Sequence, residues 1–556
     1  MDKIYLEDIR NAVISASNNL FINKEIVNDL NVFPVPDGDT GTNMNMTFQS
    51  AVKVATKEDS HTIKEYLSSF SKGSLLGARG NSGVILSQII RGFVESIPQN
   101  IESLDINDLK RGLSNSADVA YNAVMKPTEG TILTVIKDMA TYSKRYPRNK
   151  GDILQFLNDV YNEGMASVER TPELLPILKE SGVVDSGARG LMYIVEGILK
   201  YFQGDKSLLE TENLESVKIK NSLDKSDNKQ TDIKFGYCTE FILKLGEPNG
   251  KIIEGELRDY LSNIGDSIVA VGLEDVVKIH VHTNDPGKAL QKALSFGSLS
   301  DIKVDNMREQ HNEIMFTKEQ IAGEEPIEES IIEEKKEHLK KAFIAVSSGE
   351  GFNKIYRDLG VTKIISGGQT MNPSTEDLLG AVEELDADDI FILPNNSNII
   401  LAANQVKTLT DKNVHILPTR SMPEGIASII SSLQEDNPQN IIVNAKDSID
   451  QMKVGEVTYA VRGTTFNGKE IKEGQIIGIV GKDLISKDES IEKSTIELAR
   501  NIIDDETSIL SIYYGSDTKL EDAEVLTEKL EEEFDDIDIE LVYGGQPLYY
   551  YILSAE

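Results

Sequence analysis

The sequence predicts a multidomain protein of three folded parts: an all-α segment over residues 1–203, a small α+β domain over 233–317 and an α/β domain over 342–556. Three observations predict it. Apolar residues recur at helical spacing through the first part, β-branched alternating runs flank one helical pattern in the second, and short apolar runs alternate with helical patterns in the third. At roughly 100 to 200 residues per domain, a chain of 556 residues has room for all three.

In the first part, Leu6, Ile9, Val13 and Leu20 keep the helical period, and so do the stretches Met44–Val54 and Val84–Phe93. Glycine-rich loops at Pro36–Gly41, Gly73–Gly83, Pro127–Gly130 and Asp185–Gly190 interrupt the helices, so several of them present loops to a shared end. Residues 204–232 carry dense charge and few large apolar side chains, the composition of a linker. The middle part sets strand-like runs at Lys234–Leu245 and Ser267–His282 around a helical segment. A second charged linker covers 318–341, and beyond it the apolar runs Ala342–Val346, Lys363–Ser366, Asp389–Leu393 and Asn413–Leu417 predict a parallel sheet.

The net charge of -35, from 92 acidic against 57 basic residues, opposes binding to nucleic acid or an anionic membrane surface. No apolar run of about 18 residues offers a membrane span, and Met1–Phe21 reads as an acidic amphipathic helix, so a cytoplasmic location is expected. The single cysteine, Cys238, excludes an internal disulfide framework.

The loop Asn31-Val-Phe-Pro-Val-Pro-Asp37-Gly-Asp39-Thr40-Gly41-Thr42-Asn43 sets two carboxylates either side of one glycine, just before a helix. Magnesium takes oxygen ligands, typically one or two carboxylates together with nucleotide phosphates. The helix that follows, capped by Thr40 or Thr42, aims free N–H groups at the same phosphates. Asp37-Gly-Asp39 alone is equally an ordinary turn. Gly73-Ser-Leu-Leu-Gly77-Ala-Arg79-Gly80-Asn81-Ser82-Gly83 also precedes an apolar helix, its glycines allowing close backbone approach and Asn81 or Ser82 able to cap or touch phosphate. No Gly-Lys-Ser/Thr sequence follows, so this is not a Walker A loop.

These two motifs, with Lys126-Pro-Thr128-Glu-Gly130-Thr131 and Asp185-Ser-Gly187-Ala188, resemble the nucleotide-binding L subunit of dihydroxyacetone kinases over roughly the first 200 residues. The resemblance implies an antiparallel helix barrel holding Mg-ATP at one end. It implies that Asp37 and Asp39 bind magnesium and that Thr40, Thr42, Asn43, Gly80, Asn81, Ser82, Gly83, Thr131 and Asp185 lie at the nucleotide. Where that family has a further metal-binding aspartate this chain has Asn31, which either coordinates through its carbonyl oxygen or shapes the loop.

In the middle part, His280 and His282 alternate along one strand and so share a face, about 6 to 7 Å apart, with Cys238 in another strand. One thiolate and two imidazoles favour zinc; a half-exposed sheet face with a small buried cysteine fits the same residues. A fourth ligand would be Glu240, Asp285 or water. The full order of helical domain, Cys and His-x-His domain and α/β domain resembles the ATP-binding subunit of bacterial fatty acid kinases. That resemblance implies a structural zinc on Cys238, His280 and His282, a DegV-like C-terminal domain, and a separate DegV-like carrier that presents the fatty acid. A homodimer is compatible with it.

The implied reaction is transfer of the γ-phosphoryl group of ATP to a fatty acid carboxylate, giving acyl phosphate for phospholipid synthesis. A carboxylate is already a nucleophile, so positioning and charge neutralisation suffice, with Arg79 or Lys126 balancing charge in the transition state. A small-polyol kinase and a non-catalytic lipid-sensing scaffold are the alternatives. Residues 1–203 alone are expected to bind Mg-ATP without forming acyl phosphate. Ser366–Ser374 and Asn395–Asn398 follow strands and either bind a ligand or serve as turns.

Overall fold

The computed structural model describes residues 1–31, 38–57, 60–124, 126–147, 152–210, 237–245, 250–261, 264–273, 276–306, 338–368, 372–460, 464–466 and 469–556. Asp37 and most of the two charged linkers lie outside them. The chain divides into two compact units, one made of Met1–Asn213 with Lys335–Glu556 and the other of Leu214–Glu334.

The N-terminal segment is helical as expected: α1 (Leu6–Leu30), α2 (Thr40–Lys57), α3 (Ile63–Leu76), α4 (Gly80–Glu95), α5 (Ile106–Ala123), α6 (Ile132–Arg145), α7 (Ile153–Leu174), α8 (Pro176–Ser181), α9 (Ser186–Phe202) and α10 (Ser207–Glu210). Local chemistry sets their ends. Thr62 and Glu65 form a reciprocal capping box at α3, Asp105 accepts from Asn107 and Asp108 N–H at α5, and α8 opens on Pro176 and closes on Gly182 at φ 67. Packing runs α1–α2, α2–α4, α4–α5, α5–α6, α6–α7, α7–α9 and α9–α1, which closes a ring. Its interior is apolar, with Leu20, Met44, Leu86, Ile136 and Phe156 buried, around a cavity of about 240 Å³ whose one polar lining residue is Ser116.

The C-terminal segment contains the expected parallel sheet, in order β6–β5–β7–β8, from β5 (Leu339–Ser347), β6 (Lys363–Ser366), β7 (Ala387–Leu393) and β8 (Val414–Ile416). Strand β5 opens at Leu339, inside the second charged linker that the composition predicts. Helices α13 (Glu350–Asp358), α14 (Thr375–Glu383), α15 (Ile400–Val406), α16 (Met422–Ile430) and α17 (Pro438–Gln451) accompany it. A second, mixed sheet has the order β13–β12–β9–β16–β14–β15, formed by β9 (Lys453–Tyr459), β12 (Ile476–Val480), β13 (Asp483–Asp488), β14 (Ile509–Tyr514), β15 (Asp538–Tyr543) and β16 (Tyr551–Ala555). Among the described residues its only parallel pair is β14–β15. Helices α18 (Ile491–Ile502) and α19 (Leu520–Glu533) cover it, and β10 (Thr464–Phe466) with β11 (Lys469–Ile471) forms a hairpin against α8. Ala78 and Val84 of the helical segment are buried in the same core as Leu378, Ala381 and Ile399 of the C-terminal segment.

The smaller unit is the expected α+β domain. Its antiparallel sheet has the order β2–β3–β1–β4, from β1 (Tyr237–Leu245), β2 (Gly265–Leu273), β3 (Val276–Thr283) and β4 (Gly297–Asn306). Helices α11 (Gly250–Leu261) and α12 (Pro286–Leu294) pack on it around Phe241, Leu243, Leu257, Ile279 and Val281.

Candidate functional site

The acidic loop leads directly into α2. Gly41 sits so close to α1 that a Cβ there would lie 2.0 Å from the Lys24 carbonyl oxygen, so the contact admits glycine alone. Asn28 of α1 fixes the first turn of α2: its Oδ1 accepts from Thr42 N–H at 3.1 Å and its Nδ2 donates to Thr42 Oγ1 at 3.1 Å. Asn43 N–H donates to Asp39 O at 2.8 Å, and Asp39 is only 8% exposed. Asn31 ends α1, with its N–H on Asn28 O.

The glycine loop meets the same turn. Gly80 has φ 56, and a Cβ on it would lie 2.6 Å from the Asn43 side-chain nitrogen; one on Gly83 would lie 2.3 Å from Thr47 Oγ1. Thr47 joins the two helices, donating to Asn43 O at 2.7 Å and accepting from Arg79 N–H at 3.3 Å. Ser82 lies half-buried in the first turn of α4. The expected catalytic cation, Arg79, is engaged by the C-terminal segment: its Nη1 donates to Asn372 O at 2.8 Å and its Nη2 lies 3.5 Å from Asp377 Oδ2. Asn81 Nδ2 donates to Asn398 Oδ1 at 3.0 Å. Lys126 is exposed.

Two further helix starts arrive at this place. Thr131 caps α6, accepting from Leu133 N–H at 3.4 Å while donating to Thr128 O. Asp185 caps α9 and α6 at once, its Oδ2 accepting from Ala188 N–H at 2.8 Å and Ile132 N–H at 3.0 Å. Some surface of the residue remains accessible, but its carboxyl is enclosed, and burial pushes its pKa up to about 6 against the pull of those two donors. Ser186 Oγ donates to Thr40 Oγ1 at 3.3 Å, tying α9 to α2. The N-termini of α2, α4, α6 and α9 therefore converge beside Asp39. Converging N-termini offer an anion unpaired N–H groups and the positive ends of their dipoles.

Sequence reasoning missed Asn28, Thr47 and Thr375, and it named Asn372 only as part of a ligand or turn segment. Within the segments Ser366–Ser374 and Asn395–Asn398, expected as ligand or turn elements, Asn372 and Asn398 bond to the helical loops. No local pattern announces those bonds, since Asn372 and Asp39 are 333 positions apart. Elsewhere in the C-terminal segment, the ends of β5, β6 and β7 leave a cavity of only about 40 Å³, lined by Ser347, Gly368, Asn395, Asn396 and Gln546 among others. Asn395, at φ 54, fills its neighbourhood by donating to Val346 O and Tyr356 Oη.

In the smaller unit, Cys238 pairs with His282 and Glu240 with His280 across β1 and β3. Along their strands these positions alternate with buried Thr239, Phe241, Ile279 and Val281. Asp285 lies at the start of α12, with Oδ2 3.0 Å from Lys288 Nζ. Among the described residues no cluster of three metal-binding side chains occurs; the side chains at 238, 280 and 282, like Asp37, lie outside that description. No helix among the described residues is long and apolar enough to cross a membrane.

Family models match three stretches of the chain: a DAK2 domain over 34–200, the middle domain of FakA-like fatty acid kinase proteins over 234–314 and the C-terminal domain of that same family over 342–556. Protein YloV of Bacillus subtilis (strain 168) is 40% identical over 551 residues, 98% of each chain. An uncharacterized protein of Staphylococcus aureus (strain MRSA252) is 38% identical over 552 residues, again 98% of each. Among solved structures, DegV family protein Cg2579 from Corynebacterium glutamicum shares 16% identity at a TM-score of 0.30, covering 39% of this chain and 96% of that one. The Streptococcus pneumoniae Fatty Acid Kinase (Fak) B3 protein, loaded with linoleic acid, shares 11% identity at a TM-score of 0.27, covering 39% and 99%.

Proposed function

This chain belongs to the FakA-like fatty acid kinase family, and from that premise we propose that it transfers the γ-phosphoryl group of ATP to a fatty acid carboxylate presented by a separate carrier protein, giving acyl phosphate. The observation that carries the reading is the convergence of four helix N-termini beside buried Asp39. A triphosphate is the ligand such a place suits: the positive dipole ends of the four helices and the N–H groups of Thr40, Gly41, Gly80, Asn81 and Ser82 stabilise its charge without lysine, whereas those of Thr42, Asn43, Gly83, Ile132 and Leu133 bond within the protein.

The donor set fits magnesium. It is all oxygen, with the Asp39 carboxylate, Asp37 two positions away in sequence and Asn31 at the loop's start, and the neighbouring Asn372 Oδ1 is a buried acceptor with no donor among the described residues. Magnesium, when bound, neutralises charge on the phosphate oxygens. The chain's own residues do the rest: Asp185 holds α6 and α9 in register, Gly80 and Gly83 keep α4 against α2, and Arg79 positions the glycine loop. The acceptor carboxylate needs no base.

For the smaller unit, the proposal adds a structural zinc on Cys238, His280 and His282, supported by the family and by the backbone pairing of position 238 with 282 across β1 and β3. Metal analysis of the purified chain is expected to find about one zinc, lost in Cys238→Ser together with an earlier melt. A zinc-free chain of normal stability sinks that part.

The test of the function is acyl-phosphate formation from ATP with carrier-bound fatty acid, against dihydroxyacetone and glycerol as competing acceptors. Turnover of the polyols with none of the fatty acid moves the assignment to a small-polyol kinase; turnover of neither leaves a non-catalytic scaffold.

A further inference from the structure

The C-terminal segment reaches into the candidate magnesium site with one side chain. Asn372 is 2% exposed. Its Nδ2 donates to Asp39 Oδ2 at 2.6 Å. An ionised carboxylate can only accept, so the amide nitrogen faces Asp39 and Oδ1 points elsewhere. That Oδ1 is buried and has no hydrogen-bond donor among the described residues. A buried acceptor left unpaired opposes folding, and a donor arriving with a ligand would relieve that cost.

The segment around Asn372 is anchored rather than resting loosely. Its carbonyl accepts from Arg79 Nη1, Thr375 N–H donates to Ala78 O at 3.1 Å, and Ser374 bridges to Arg79 in antiparallel fashion. A Cβ on Gly80 would lie 3.5 Å from Asn372 Nδ2, so the amide also sits over the glycine loop. One side chain thus touches the metal-binding carboxylate and the phosphate-binding loop together.

We infer that Asn372 is a positioning residue of the magnesium-nucleotide site: its N–H fixes the Asp39 carboxylate, and its Oδ1 accepts a proton donor brought by the hydrated metal. The inference rests on the magnesium-nucleotide reading above and is independent of which acceptor receives the phosphoryl group. It makes the C-terminal segment part of the site itself, beyond any role in docking a carrier.

The experiment titrates magnesium into the full-length chain at fixed mant-ATP; the chain has no tryptophan, so the fluorescent nucleotide reads against a low protein background. Groups that hold metal ligands typically change metal affinity by about 10- to 100-fold when removed. Asn372→Ala is expected to raise the half-saturating magnesium concentration at least tenfold by that rule, while nucleotide affinity in EDTA stays within about twofold. Thr375→Ala, a change at the same seam away from the carboxylate, is expected to leave it in place. An unchanged half-saturation in Asn372→Ala, or an equal shift in Thr375→Ala, overturns the inference. Should Asn372→Ala melt early, Asn372→Ser carries the same expectation and the same refutation. A wild-type chain whose nucleotide binding ignores magnesium refutes the underlying reading instead, which separates the two failures.

Discussion

The helical ring and the C-terminal parallel sheet both finish their elements in loops rich in Gly, Asn and Ser, yet the two sets of loops do opposite things. In the ring, α2, α4, α6 and α9 bring their N-termini, and the positive ends of their dipoles, together at one place. At the sheet, the loops after β5, β6 and β7 close on each other until about 40 Å³ is left. A parallel sheet usually binds its ligand at those strand ends. Here that space is occupied by Asn395 and its partners, and the neighbouring residues 372–375 and 398 bond outward to the ring. The same turn chemistry makes an anion site where helices converge and a fastening where a sheet edge meets another fold.

The largest expected effect falls on the ring. Asp39→Asn is expected to lower phosphoryl transfer by roughly a hundredfold or more, since metal-based charge stabilisation is worth several kcal/mol, and Asp37→Asn to do the same. Helical content by circular dichroism should not change. Near-normal turnover in Asp39→Asn would remove the ring's claim to the chemistry.

Asp185 probes the same convergence through pH. Its pKa, pushed up to about 6 by burial, exceeds the roughly 3.9 of an unfolded aspartate. As pH falls, the folded state therefore takes the proton first. Above about pH 6 the buried charge opposes folding, and the opposition fades towards pH 4; the span of two pKa units corresponds to about 2 to 3 kcal/mol. Asp185→Asn keeps an oxygen for the Ala188 and Ile132 N–H groups, so its stability, followed by urea unfolding, should lack this fall between about pH 4 and 6. A variant with the wild-type slope would show that the carboxyl is not enclosed.

Smaller again is the effect of removing the sheet. The sequence alone leads one to expect that the helical segment keeps Mg-ATP by itself, yet in a fragment 1–210 Ala78 and Val84 lose their cover and Asp39 loses Asn372. Magnesium-dependent nucleotide affinity is expected to fall about tenfold, the scale of losing one group that holds a metal ligand, with residues 335–556 supplied separately restoring part of it. Equal affinity in fragment and full chain would return the sheet to a docking role alone.

What is legible in the sequence is what local repetition encodes. Helical periods such as Leu6, Ile9 and Val13 become α1, and the apolar run at Lys363–Ser366 becomes β6 with the same bounds. The motifs at Asp39, Gly80, Thr131 and Asp185 stand out because glycine and capping residues leave a local signature, although Asp185 proves to cap two helices. The mixed sheet of β9 and β12 to β16 escapes such a reading, because antiparallel pairing between distant short strands has no period to detect. The seam is illegible for the same reason: Arg79 looks like a free cation until the fold brings Asn372 and Asp377 to it.

The smallest effect decides what Asn81 is for. The motif places it at the nucleotide, whereas its Nδ2 donates to Asn398 Oδ1 at 3.0 Å across the seam. A neutral, partly buried hydrogen bond contributes about 0.5 to 1.5 kcal/mol, so a residue that only fastens the seam should cost Mg-ATP binding no more than a few-fold. The double-mutant cycle of Asn81→Ala and Asn398→Ala isolates the pair: stability should show a coupling of about 0.5 to 1.5 kcal/mol, because the second substitution removes nothing more once the first has broken the bond. Calorimetry on the same four proteins reads nucleotide affinity. If Asn81→Ala alone weakens Mg-ATP more than tenfold, and Asn398→Ala does not, the side chain serves the nucleotide directly and lends the seam little. If both weaken it equally and slightly, the ring and the sheet share the site through this bond, with the sheet acting on nucleotide only by holding α4 in place.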